Sequence, residues 1–248
     1  MNNGAMTEQA HKQAHKKVAV VTGASSGIGA ASARALAADG WHVILGARRL
    51  ERMEAIAQEI GGEAIALDVT DQGSVDAFAA QIQRCDLLVN NAGGAIGLDA
   101  VADANVEEWQ RMYEINVLGT LRVSKALLAK LREANGHIIN MSSVAGIAPY
   151  AGGAGYNAAK FGLSAMTKVM RIELAEQHLR ISEINPGRVA TDFSLVRFRG
   201  DEQQAAKVYA DKLNLCAEDI AEAVRWIAAC PAHMNIDRMV ITPQDQVI

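Results

Sequence analysis

The chain has 248 residues, half of them hydrophobic, with 21 glycines, only 4 prolines and a net charge of −4. That length fits one α/β domain, and the composition fits a well-packed globule rather than a disordered or fibrous chain. The acidic balance argues against nucleic acid as the main partner, and with no apolar run near the ~18 residues of a membrane-spanning helix, no membrane partner is expected either.

Residues 1–16 are polar, hold two of the six histidines and lack the apolar core of a secretory signal. They are expected to be a flexible tail, with 17–248 forming a single domain in a cytoplasmic protein. Cys85, Cys216 and Cys230 are odd in number and scattered, which reads as reduced thiols and no metal site.

From there, short uncharged β-branched runs alternate with alanine-rich helical stretches. Strands are predicted at Val18–Thr22, Trp41–Leu45, Glu63–Leu67, Leu87–Asn90, His137–Met141, Ile181–Asn185 and Arg238–Thr242. Helices are predicted around 27–39, 50–60, 73–84, 106–133, 156–178 and 217–229. This rhythm means a doubly wound parallel sheet of about seven strands, helices on both faces, in the Rossmann manner. The polar interval 193–215 breaks it, and reads either as a loop over a substrate pocket or as surface helix.

The first strand runs into Thr22-Gly23-Ala24-Ser25-Ser26-Gly27-Ile28-Gly29. Gly23 permits a tight turn, Gly27 lets the backbone approach a pyrophosphate, and Gly29 lets the following helix pack against the strand. A pyrophosphate would sit at that helix's positive end, where N–H groups point outward. About 20 residues on, where an acidic residue would bind a free ribose 2′-hydroxyl, the chain has Gly46-Ala47-Arg48-Arg49. Arg48 suits a 2′-phosphate, so NADP(H) is expected over NAD(H). The glycine loop itself carries Ser25-Ser26 and no cation.

Tyr156 and Lys160 lie four apart on a predicted helix and share a face. A nearby ammonium lowers a phenol's pKa, which makes it a usable proton shuttle. Ser143 lies just past a strand. His137, His178, Ser142 and the group Trp109, Met112 and Tyr113 read as structural.

Together, Thr22-Gly23 through Gly29, Asp68-Val69, Asn90-Asn91-Ala92-Gly93, Asn116, Ser143, Tyr156 with Lys160, and Pro186-Gly187 followed by Thr191 closely resemble the short-chain dehydrogenase/reductase family. The resemblance implies hydride transfer between NADP(H) and a small carbonyl or alcohol. By it, Tyr156 is the general acid or base, Lys160 bonds the nicotinamide ribose, Ser143 holds the substrate oxygen and Asn116 anchors a water. Asp68, Val69, Asn90, Ala92 and Gly93 would line the adenosine side, and Pro186, Gly187, Val189 and Thr191 the nicotinamide. Gly23, Ser25, Ser26, Gly27, Ile28, Gly29 and Arg48, with Tyr156 and Lys160, complete the cofactor contacts. It also implies a homodimer or homotetramer through the helices at 106–133 and 156–178.

Substrate-pocket candidates are Ala145, Ile147, Tyr150, Gly152, Gly153 and Phe193. Arg188, Arg197 and Arg199 are the cations with the length to reach in. The ending Ile236–Pro243 resembles a branch of NADP-dependent bacterial reductases and 3-hydroxy acid or serine dehydrogenases. The competing readings are a 3-ketoacyl thioester reductase and a non-catalytic cofactor-binding regulator.

Overall fold

Seven strands, β1 (Val18–Thr22), β2 (His42–Ala47), β3 (Glu63–Ala66), β4 (Leu87–Asn90), β5 (His137–Met141), β6 (Arg180–Pro186) and β7 (Arg238–Ile241), make one sheet in the computed structural model. Residues 16–248 are described; the tail expected over 1–16 therefore lies outside them but for Lys16. Neighbours pair in the order β3-β2-β1-β4-β5-β6-β7, and every pair is parallel. The sequence puts β1 in the middle because it is apolar on both faces. Ala19 and Val21 join one core cluster, and Val20, between them, joins the other.

The first cluster is closed by α1 (Gly27–Ala38), α2 (Leu50–Ile60) and α9 (Ala217–Ala229), through Leu36, Met53, Ile220 and Val224. On the opposite face lie α3 (Gln72–Gln81), α5 (Gly119–Glu133) and α6 (Ala154–Leu174), through Phe78, Leu127, Leu131 and Met170. Starts are capped as the sequence dictates: Asp71 accepts from the Gly73 amide at the head of α3, and Asn105 from the Glu108 amide at the head of α4 (Val106–Tyr113). Among the described residues no helix is long and apolar enough to cross a membrane.

One stretch departs from the sequence reading, and another resolves its two alternatives. The helix expected across 106–133 is interrupted by a π turn at Glu114–Leu118, with no proline or glycine inside it. There the Asn116 side chain donates to the Met112 carbonyl at 2.7 Å, competing with the backbone for its own acceptor. The interval 193–215 contains two short helices, α7 (Phe193–Arg197) and α8 (Glu202–Tyr209). The Tyr209 hydroxyl ties them to the chain before them, donating to the Thr191 carbonyl at 3.3 Å and bonding the Ser194 hydroxyl at 2.8 Å.

The strand order reverses beside β1: the chain runs outward through β2 to β3 on one side, then crosses back from β3 to β4 on the other. A crevice opens at the carboxyl ends of the strands there, which is where such sheets bind ligands.

Candidate active site

A cleft of about 630 Å³ occupies that crevice. Of the residues expected to do the chemistry or bind the cofactor, all border it except Gly29, Asn90 and Asn116. Each exception has a physical reason.

Gly29 is a packing glycine, as its place in the loop implies. A β-carbon there would lie 2.5 Å from the Gly23 carbonyl oxygen and from Asn91 Nδ2. Asn90 is a correction. It ends β4 with its side chain turned into the core, where Nδ2 donates to Ser124 Oγ and Asn140 Oδ1, both at 2.9 Å. The neighbouring Asn91 faces the cleft instead, and its Nδ2 donates to the carbonyls of Thr22 and Gly23. The Thr22 hydroxyl accepts from the Asn91 and Ala92 amides at 3.0 Å. These bonds lock the end of β1 to the end of β4. Strand alternation alone was the signal that separates Asn90 from Asn91.

Gly23 (φ +64°) and Gly27 (φ +53°) both adopt left-handed backbone. A β-carbon on Gly23 would lie 2.9 Å from Ala92 Cα, and one on Gly27 would lie 3.4 Å from the Thr191 side chain. At Gly23 the loop can therefore hold this shape only with glycine, and at Gly27 any side chain would carry the strain of left-handed backbone. The α1 N-cap, Ser26, makes no side-chain cap bond, so the helix's first amides stay available to an anion.

Arg49, rather than Arg48, is the arginine that engages the loop. Its guanidinium donates to Ser25 Oγ (2.9 Å) and Ser26 Oγ (2.7 Å), supplying the cation that the loop sequence lacks. Partial burial, then the nearby Arg52, lowers its pKa. Arg48 lines the same end. It contributes, after the Thr70 hydroxyl, to holding Asp68 below its ordinary carboxylate range. No carboxylate pairs with Arg48 or Arg49 among the described residues, so this end of the cleft presents two cations to a ligand. Sequence reasoning missed Arg49 because consecutive residues after a strand usually point apart. Here the chain is already turning into α2.

At the other end, Ser143 leaves β5 in extended backbone, and its Oγ accepts from the Ala145 amide at 3.1 Å. Ser142 is turned away, bonded to Ser164. Tyr156 and Lys160 sit one turn apart on α6, both buried, with the Lys160 nitrogen 5.7 Å from the Tyr156 ring centroid. That nitrogen donates to the Met141 carbonyl at 2.9 Å. The expectation that the ammonium lowers the phenol's pKa needs correcting for the protein alone. Burial pushes the Tyr156 phenol above its ordinary range, against the opposing pull of the Ser143 hydroxyl. Burial likewise lowers the Lys160 ammonium to about 8. Both groups have left water, and desolvation outweighs the pull of the Ser143 hydroxyl and the Arg197 charge on Tyr156 and that of the Glu183 charge on Lys160.

Asn116 supports this end from behind. Its carboxamide is fully engaged, donating to Gly94 O (2.8 Å) and Met112 O and accepting from Gly94 N (3.2 Å). Gly93 lies between Asn116 and Lys160, and a β-carbon there would meet Asn116 Oδ1 at 2.6 Å. Pro186, Gly187, Val189 and Thr191 form the facing wall after β6. The candidates Ala145, Tyr150 and Phe193 reach the cleft; Gly152 and Gly153 border a smaller pocket beside Trp109, and Ile147 borders neither. His137 is structural: it bonds Ser182, and burial lowers its pKa to about 3.

The glycine-built cradle at a free helix N-terminus, two cations beyond β2 and a buried Tyr–Lys pair fit a phosphorylated dinucleotide stretched along the cleft. The comparisons agree. The family model for short chain dehydrogenases matches residues 17–201. An uncharacterized oxidoreductase of Mycobacterium tuberculosis is 54% identical over 232 residues, covering 93% of this chain and 92% of the relative. An NADP-dependent 3-hydroxy acid dehydrogenase of Salmonella typhimurium is 40% identical over 92% of this chain and 96% of its own length. Among solved structures, the closed form of serine dehydrogenase complexed with NADP+ superposes with a TM-score of 0.90 at 37% identity, over 93% of this chain and 96% of that one. The chain belongs to the short-chain dehydrogenase family.

Proposed function

We propose that the protein is an NADP(H)-dependent oxidoreductase that interconverts a small carbonyl compound and its alcohol, with Tyr156 as general acid or base. The observation that carries this reading is the buried Tyr156–Lys160 pair beside Ser143, in a cleft whose far end holds Arg48 and Arg49. The dinucleotide, when bound, supplies or accepts the hydride.

The chain's own residues do the rest. Ser143 Oγ and Tyr156 Oη are the two hydroxyls that would meet the substrate oxygen, where charge accumulates as a carbonyl is reduced. Burial raises the Tyr156 pKa, so in the protein alone the phenol carries the proton that the acid in carbonyl reduction must give up. Lys160, its pKa lowered to about 8 by burial, still carries a proton at neutral pH and sits 5.7 Å from the Tyr156 ring centroid, placed as the cation that would support the phenol's proton exchange. Asn116 holds the Gly94 backbone against this end. Its carboxamide is engaged, so the water that the resemblance assigns to it would sit on the residue's backbone carbonyl, which already accepts from Thr120 Oγ1 at 3.0 Å. Gly23, Ser25, Ser26, Gly27 and Ile28 would cradle the pyrophosphate. Asp68, Val69, Ala92 and Gly93 would border the adenosine, and Pro186, Gly187, Val189 and Thr191 the nicotinamide.

Two of the similar proteins are named as dehydrogenases of 3-hydroxy acids and of serine, which favours that class over a 3-ketoacyl thioester. A non-catalytic regulator would have no use for a fully buried Tyr–Lys pair. Replacing Tyr156 with Phe tests the reading. Turnover followed at the reduced-nicotinamide absorbance should fall by at least ~100-fold, the loss of one general acid, while NADP+ affinity holds. Undiminished turnover would sink the mechanism.

We further propose a homodimer or homotetramer in the cytoplasm. Phe161, Val169 and Ile172 on α6 and Leu121 on α5 are exposed, Ile172 to 75%. Such apolar surface on neighbouring helices favours a subunit contact. Light scattering should give a multiple of the 26.4 kDa chain mass; a monomer at micromolar concentration would refute the assembly.

A further inference from the structure

The aromatic wall of the substrate end holds a cation that the proposed proton chemistry leaves unused. Arg197, the last residue of α7, points its guanidinium across the cleft. The guanidinium carbon lies 5.2 Å from the Tyr156 ring centroid and 5.6 Å from those of Tyr150 and Phe193. One Nη2 donates to the Tyr150 hydroxyl. The Nε–H is buried with no acceptor. The other arginines of this region are claimed: Arg188 by Asp245, Arg199 by Glu108. Asp192, also on the cleft wall, faces Arg52 at 3.9 Å. Among the described residues Arg197 alone of these has no carboxylate partner.

Three aromatic rings orient the guanidinium and bury its Nε, so an acceptor bound at that edge would compete with little water. A buried N–H without an acceptor is a standing cost that a bound acceptor relieves. The natural complement to a planar guanidinium with free donors is a carboxylate, which can take two parallel bonds. The same ring that Arg197 covers carries the proposed acid–base phenol. A short molecule held by its carboxylate at Arg197 would thus have its hydroxyl or carbonyl oxygen at Ser143 and Tyr156.

We propose that Arg197 is the carboxylate anchor of the substrate, making the enzyme selective for short hydroxy acids and their oxo acids over neutral alcohols and thioesters. This rests on the dehydrogenase reading above and adds to it the residue that selects the substrate. Arg197 acts by position and charge and moves no proton. Tyr150 braces it.

The test compares 3-hydroxypropanoate with its methyl ester, which keeps the carbinol and loses the charge. Initial rates of NADP+ reduction would be measured for the full chain and for Arg197→Met and Arg197→Lys. Loss of a charge-assisted bond should lower kcat/KM of Arg197→Met for the acid about 100-fold, chiefly through KM. The ester should change by less than about threefold, and Arg197→Lys should fall between. NADP+ affinity, followed by quenching of protein fluorescence, should be the same in all three and reports that the variants are folded. Parallel loss on acid and ester would make Arg197 a packing residue of α7 and overturn the proposal. So would a parent enzyme that oxidises the ester, or reduces simple aldehydes with NADPH, yet shows no preference for the acid. Inactivity of the parent on acid, ester and aldehydes alike would instead strike the dehydrogenase reading itself.

Discussion

On the cofactor wall of the cleft, Gly23, Gly29 and Gly93 press backbone against backbone or buried amide, and Thr22 and Asn91 stitch β1 to β4. The substrate wall is made otherwise. There α7 and α8 each bury a single residue, Ser194 and Ala205. They are fastened by a few bonds, such as Tyr209 to Thr191 and the Gly97 amide to the Arg197 carbonyl at 2.9 Å. At Gly23 and Gly29 the first wall leaves no room for variation, because a side chain would strike main chain. The second can exchange side chains at little cost to the fold. A dinucleotide of fixed shape belongs against the rigid wall, and the choice of substrate belongs on the adjustable one.

The sharpest way to break this contrast is to add a side chain to each wall. Gly23→Val forces a β-branched residue into left-handed backbone, with its β-carbon 2.9 Å from Ala92 Cα. Strain and overpacking together should cost about 3 kcal/mol or more in urea unfolding, and NADP+ binding should be lost. Gly200→Ala, between α7 and α8, also meets positive φ (+91°), but its β-carbon has nothing within 4 Å. Only backbone strain remains, about 1 kcal/mol, with NADP+ affinity unchanged. Equal losses in the two variants would show that the walls do not differ in rigidity.

The same contrast explains which parts were legible in the sequence. The glycine loop could be read because backbone contact leaves one residue type possible, and its position between a strand and a helix says why. The sheet could be read because strands buried on both faces are apolar throughout. What could not be read depends on side-chain direction. Asn90 and Asn91 are the same residue type in adjacent positions, and only the pleat of β4 sends one inward and the other to the cleft. The π turn around Asn116 depends on a side chain taking a backbone acceptor inside a sequence otherwise fit for continuous helix. The lowered pKa of Lys160 depends on burial, which spacing on a helix does not reveal. Arg197 was one of three candidate cations until its rings and its lack of a carboxylate partner separated it from Arg188 and Arg199.

Arg49 lies where the two kinds of wall meet, and it offers a smaller, more discriminating test. It is a side chain, as on the substrate wall, but it is bonded to Ser25 and Ser26 of the rigid loop. If its charge serves the 2′-phosphate, Arg49→Ala should weaken NADP+ by roughly ten- to a hundredfold, as for a lost charge-assisted bond, and leave NAD+ within about twofold. If Arg49 only ties the loop down, both cofactors should weaken together, because each places its pyrophosphate on the same amides. Arg48→Ala separates the two arginines. It faces the same end of the cleft without touching the loop serines, so its loss should fall on NADP+ alone. Titration of both cofactors against the two variants by fluorescence reads all of this directly. A preference for NADP+ that survives both substitutions would mean that phosphate selection lies outside this pair, and that the rigid wall alone sets it.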